Sequence, residues 1–193
     1  MQLKNLKTNF LGRNAIYYKT IDSTQKEILR RIEEGKIENG TLIFTDIQTS
    51  AYGTHGRVWH TEEENNIAFS FLIKPNCKID KLEGLTRKIA EIIVQIFKEK
   101  YNISLEIKEP NDIYLKGKKL GGILTQTKLV LDKVKYLVIG IGINTNKEHF
   151  TEDIKDIATS IKKEFGVQID KEEFIVEFCN VFEKIIIEIM AKK

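Results

Sequence analysis

Two cysteines, two prolines and three histidines are all that this chain of 193 residues offers for covalent, conformational or metal cross-links. Cys77 and Cys179 lie far apart with no Cys-x-x-Cys between them. A disulfide framework is therefore not expected, and a reducing compartment with both thiols buried as small hydrophobes is. His55, His60 and His149 form no His-Glu-x-x-His and have no cysteine cluster beside them, so no metal is expected on side chains. No apolar run reaches membrane-spanning length, and residues 1–9 alternate polar and apolar side chains where a signal peptide needs an unbroken apolar core. A soluble, cytoplasmic protein with no membrane partner is the expectation. Charge of one sign is missing as well: 31 Lys and Arg against 28 Asp and Glu leave a net charge of +3. That is too small and too evenly mixed to make DNA or RNA the main partner. Internal repeats, low-complexity tracts and Pro/Gly-rich linkers are absent, so one domain is expected over residues 1–193, with 41% hydrophobic residues to build its core.

Several catalytic signatures are missing too. Gly140-Ile141-Gly142 lacks the third glycine of a dinucleotide fingerprint and no helix signal follows it. Ser70 and Ser160 have no nucleophile-elbow setting, and no Walker A sequence occurs.

What is present reads as short alternating elements. Asp22 or Ser23 caps a helix bearing Ile28, Leu29 and Ile32, which Gly35 ends. Thr41 to Thr45 and Asn66 to Ile73 are strands that tether a glycine-containing loop between them. Leu85 to Tyr101 repeats its apolar residues at helical spacing, as do Asp156 to Phe165 and Lys171 to Met190. Strands are expected at Ser104 to Lys108, Ile113 to Leu115, Gly121 to Lys128 and Lys133 to Ile143, with a turn at Lys116-Gly117-Lys118. Connections too short for crossover helices imply an α+β fold, a mainly antiparallel sheet with helices on one face. The stripe from Phe174 to Ile189 is core or dimer contact, and with an exposed sheet edge it makes a homodimer an expectation.

The motifs that carry chemistry each have a plain alternative. Asp22-Ser23-Thr24 can be only a helix cap, Pro110-Asn111-Asp112 only a turn. Lys116, Lys118 and Lys119 can be solvated hairpin residues. Gly140 and Gly142 can admit a bulky neighbour as readily as a ligand. The loop Ala51-Tyr52-Gly53-Thr54-His55-Gly56-Arg57-Val58-Trp59 adds glycines for close backbone approach, a guanidinium for phosphate and an aromatic wall.

Taken in order, Ile21-Asp22-Ser23-Thr24, Gln48 with the loop through Gly56-Arg57-Val58-Trp59, Lys108-Glu109-Pro110-Asn111-Asp112, Lys119-Leu120-Gly121-Gly122-Ile123-Leu124, Gly140-Ile141-Gly142-Ile143-Asn144 and Ala158-Thr159-Ser160 resemble the biotin protein ligase family. The resemblance implies a catalytic domain related in fold to class II aminoacyl-tRNA synthetases and lipoate ligases. It implies ATP and biotin as substrates with Mg2+ held through phosphates, a biotinyl-5′-AMP intermediate, and transfer to a lysine of a biotin carboxyl carrier protein domain of acetyl-CoA carboxylase or a related carboxylase. Carried over position by position, it makes Lys119, Asp112 and Arg57 catalytic. It sets Ser23, Thr24, Gln25, Gln48, Tyr52, Gly53, Thr54, Trp59, Lys119 and Gly122 on biotin, and Arg57, Trp59, Asn111, Asp112 and Asn144 on the nucleotide.

The chain also departs from the family pattern. Tyr52 and Thr54 stand where the family loop carries arginines, which implies faster adenylate escape and looser acceptor selection. Glu109 stands where tryptophan is common. The motifs begin so near Met1 that no amino-terminal winged helix is expected within residues 1–193, and after Asp170 one long helix and no β-barrel is expected there, whether the ligase is naturally minimal or the sequence is shortened. A lipoate or octanoate ligase, a non-catalytic biotin-binding module and a plain scaffold are the competing readings. Gln48 and Lys119-Leu120-Gly121-Gly122 favour biotin, and Lys119, Asp112, Asn111 and Arg57 favour turnover.

Overall fold

The computed structural model describes residues 2–59 and 66–191, and His60 lies outside them. The chain first builds a crossover. β1 (Ala15–Ile21) runs into α1 (Thr24–Glu33) and returns as β2 (Leu42–Gln48), parallel to β1 with Tyr17 opposite Phe44. The sequence pattern predicts no strand at β1 and no connection long enough for a crossover. The ten residues of α1 make one. The remaining strands are antiparallel: β3 (Ile67–Ile73), β4 (Glu106–Lys108), β5 (Asp112–Leu115), β6 (Lys118–Val130) and β7 (Lys133–Ile143). They close a seven-stranded mixed sheet in the order β1-β2-β3-β7-β6-β5-β4.

Alternation along the strands sends side chains to two faces, and helices cover both. Leu42 and Phe44 of β2, with Phe69 and Phe71 of β3, enter a large core against α2 (Leu85–Tyr101) and α4 (Lys171–Ala191). Ile43 points the other way, into a small cluster with Ile28 of α1, Leu72 and Val138. The expectation of helices on one face is thereby corrected. α1 sits alone on the face opposite α2 and α4, and it leaves part of that face open.

α4 explains the long apolar stripe. Phe174, Phe178, Phe182 and Ile186 are fully buried within the chain's own core, and the Phe178 ring meets those of Phe69, Phe71 and Phe182 at 5.5, 5.8 and 5.5 Å. The stripe is not free for a second copy, which removes that part of the homodimer argument. α3 (Ile161–Phe165) is shorter than the helix expected from Asp156, because Ala158 is drawn into a parallel bridge with Lys119 and Ser160 then caps the helix. Cys77 and Cys179 are free and buried as expected, and burial pushes the Cys179 thiol far above its ordinary range. Among the described residues no helix is long and apolar enough to cross a membrane.

Candidate functional site

The open part of the α1 face holds a cavity of about 330 Å³, lined from β2, β3, β7, β6 and β5 in succession. Strands lie about 4.8 Å apart, so four steps across the sheet give a cleft roughly 19 Å long. Its floor is made by missing side chains. A Cβ on Gly142 would lie 2.8 Å from the indole of Trp59, and one on Gly140 would lie 2.6 Å from Gln25 Oε1. The bulky neighbours are thus found, and both are themselves cavity-lining residues.

One end of the cleft is polar and closed. Ser23 caps α1 by accepting from the Lys26 amide, and the first turn presents Thr24 and Gln25, all buried. Gln48 Oε1 accepts from the Thr24 amide at 2.9 Å and from its hydroxyl at 3.2 Å. With its proton on Gln48, Thr24 Oγ1 is left to accept from the Ser70 hydroxyl at 2.8 Å. Gln25 Nε2 donates to the Val138 carbonyl and to Gln126 Oε1, while its own Oε1 is buried with no partner. A buried acceptor without a donor costs about 1–3 kcal/mol, which a ligand donor would recover.

At the other end a β-bulge does the aiming. Asp112 faces Gly122 and Ile113 faces Gly121, but Tyr114 then faces Lys119, so Leu120 is the extra residue. Three positions apart, Lys119 and Gly122 would point to opposite faces of a regular strand. The bulge puts both on the cleft face. Lys119 Nζ reaches Asp112 Oδ1 at 2.7 Å over Gly122. The Lys119 backbone is fixed by bonds to Ile157 and Thr159, the second arm of the bridge that shortened α3. Asn111 is tied to Ile123 by its side chain and its carbonyl, and Asn144, also in the lining, is buried with its amide donating to the Leu120 carbonyl.

Over the middle lies the loop of residues 51–59, a small hairpin in which Tyr52 bridges Val58 and the Trp59 amide donates to Ala51. His55 and Gly56 turn its tip with φ of 59° and 72°. Trp59 covers Gly142 with Nε1 buried and unpartnered, and Lys119 Nζ stands 5.9 Å from its ring. Arg57 is exposed, and among the described residues its side chain bonds within the loop, to Thr54. Gly53 and Thr54 line the cavity with it. Glu109 points elsewhere, pairing with Arg87 of α2. The sequence residues therefore converge on one cleft. Ser70, Tyr114, Gln126, Phe150, Ile154 and Ile157 were not foreseen, and all except Gln126 line it. Phe150 is held with the ammonium groups of Lys147 and Lys163 each 5.3 Å from its ring. None of these residues carries a motif, and only the fold brings them together. Among the described residues no group of three or more His, Cys, Asp or Glu could hold a metal ion.

Residues 17–144 match the biotin/lipoate A/B protein ligase family. The chain belongs to that family. Within it, the chain is 38% identical over 181 residues to the bifunctional ligase/repressor BirA of Bacillus subtilis, covering 93% of this chain and 55% of that one. It is 25% identical over 198 residues to the human biotin–protein ligase, covering 98% of this chain and 27% of the relative. The biotin protein ligase of Aquifex aeolicus, solved in complex with biotin and ATP, superposes with a TM-score of 0.72 at 32% identity, covering 93% of this chain and 71% of that one. The chain thus spans about half the length of the curated BirA relative, and the biotin/lipoate ligase fold is the one described above.

Proposed function

We propose that this chain joins biotin to ATP as biotinyl-5′-AMP and then passes the biotinyl group to a lysine of a biotin carboxyl carrier domain. The observation that carries the reading is a single cleft with an unmet hydrogen-bond acceptor at its closed end and a lysine–carboxylate pair at the other. Gln25, Gln48, Thr24 and Ser70 suit a cyclic urea, which is neutral and carries both donors and an acceptor. An acyl chain reaching across Gly140 and Gly142 brings its carboxylate to Lys119.

In the first half-reaction a carboxylate oxygen attacks the α-phosphorus, the acyl–phosphate bond forms and pyrophosphate leaves. Lys119 brings the two anions together and stabilises charge on the phosphorus oxygens. Asn111, Asn144 and Trp59 suit the nucleotide. The Trp59 indole N–H is a donor awaiting an acceptor, and Arg57 at the loop surface suits the polyphosphate. Magnesium, brought in with ATP, would add to charge neutralisation. Once Lys119 engages phosphate, Asp112 is released to take a proton from the incoming amine. The amine nitrogen attacks the acyl carbon, the amide forms and AMP leaves.

Lys119→Ala and Asp112→Asn are expected to slow biotinylation about 10²–10³-fold, the first at adenylate formation and the second at transfer in single-turnover assays. The deciding experiment is mass spectrometry of a carrier domain incubated with the protein, magnesium and ATP, with biotin, lipoate or octanoate in parallel. An ATP-dependent biotin-sized increase supports the reading. An increase only with lipoate or octanoate replaces it with the neighbouring ligase activity, and binding of biotin without transfer replaces it with a non-catalytic module.

A further inference from the structure

The closed end of the cleft contains an ordered set of hydrogen bonds whose directions follow from one fixed group. The Val138 carbonyl is an acceptor only, so the Gln25 atom 3.1 Å from it is the amide nitrogen. That nitrogen also lies 3.0 Å from Gln126, which must therefore present its oxygen. The same Gln126 oxygen lies 3.1 Å from the Tyr52 hydroxyl, which must donate. Burial raises the Tyr52 phenol above its ordinary pKa and keeps it a neutral donor. With both amide protons of Gln25 engaged, its Oε1 faces Gly140 without a partner. Gln126 is thus the junction between the α1 residue that offers the unmet acceptor and the loop that carries Trp59.

We propose that Gln126 is a positioning residue for biotin, holding the Gln25 carboxamide with its oxygen toward the ligand and tying the loop of residues 51–59 across the cleft through Tyr52. The proposal rests on the biotin reading above. Gln126 lies on β6 four residues beyond Gly122, outside the cavity lining, so it acts through Gln25 and Tyr52 and touches no reacting atom. Two roles follow from one oxygen. Gln25 orientation governs how well the head of the acid binds, and the Tyr52 bond governs how readily the loop lifts. Tyr52 stands where the resemblance has an arginine, so this tether is formed by the very residue whose substitution implies a looser loop.

Three variants of the full chain separate these roles. Gln126→Met keeps volume and removes the acceptor. Gln126→Glu keeps an acceptor for both donors, and Tyr52→Phe removes only the loop bond. The measurements are biotin affinity by calorimetry, KM for biotin against KM for ATP, and release of bound adenylate in a chase. Gln126→Met is expected to weaken biotin about 10- to 100-fold, raising KM for biotin well beyond any rise in KM for ATP, and to speed adenylate release as much as Tyr52→Phe does. Gln126→Glu is expected to restore affinity to within about threefold. Tyr52→Phe is expected to speed adenylate release about tenfold with a smaller effect on biotin affinity. Wild-type affinity in Gln126→Met overturns the proposal, as does Gln126→Glu as weak as Gln126→Met. Equal changes in both KM values would show a general structural role and overturn it too. If Gln126→Met does not fold, the glutamate and phenylalanine variants still decide: unchanged adenylate release in Tyr52→Phe removes the loop role, and impaired biotin binding in Gln126→Glu removes the orienting one. Failure of the wild-type protein to bind biotin would instead overturn the functional reading.

Discussion

At the scale of single residues, the cleft depends on positions where a side chain is absent. A methyl group on Gly142 would lie 2.8 Å from the Trp59 indole, a distance that forces the ring to move. Gly142→Ala is expected to displace Trp59 and weaken ATP binding about tenfold or more, read by quenching of the single tryptophan. Gly140→Ala presses on Gln25 Oε1 and is expected to weaken biotin instead, with ATP affinity close to wild type. The two glycines were visible in the sequence as an ambiguous pair, and the neighbours that decide between their readings come from a loop and a helix far away in the chain. Lys119, Asp112, Asn111, Gln48 and Ser23 were legible because their chemistry and order matched a pattern. Gln126 was not, because a glutamine on a strand has no signature until two donors are seen on its oxygen.

Among the elements, α1 shows how local electrostatics support the site. Arg30 forks both carboxylate oxygens of Asp22 at 2.8 and 2.9 Å, and this holds the Asp22 pKa at about 2, below its ordinary 3.8. A depressed carboxylate stabilises the fold above its unfolded pKa and loses that contribution as pH falls through the folded one. The melting temperature of the wild type is therefore expected to fall more steeply than that of Asp22→Asn between about pH 4 and pH 2, and circular dichroism of both proteins across that interval tests it. Solvent screening limits the size of the effect, since 37% of the Asp22 side chain is exposed. Element boundaries were legible where periodicity was clean: β7 runs from Lys133 to Ile143 as read from the sequence, and α2 from Leu85 to Tyr101. β1 was missed because it is an edge strand, mostly half-buried or exposed, so it lacks the alternation that marks a covered one. The residues before α3 have helical spacing, but tertiary pairing with Lys119 claims their backbone.

For the molecule as a whole, the two faces of the sheet are unequal. The face under α2 and α4 holds most of the core, and Phe178→Ala there is expected to cost about 3–5 kcal/mol in denaturant unfolding, since three rings would lose their neighbour. The cleft face is secured by a cluster of four buried residues, Ile28, Ile43, Leu72 and Val138. The order of elements predicts helices on one face, because the parallel pairing of β1 with β2 that lifts α1 to the other side leaves no mark in that order. The small cluster beneath α1 implies that this helix can part from the sheet in local openings that leave the larger core intact. Amide hydrogens of α1 should then exchange with deuterium faster than those of α4, and saturation with biotin and ATP should slow α1 far more than α4. Equal protection of the two helices, with or without ligands, would mean that the molecule opens only as one unit.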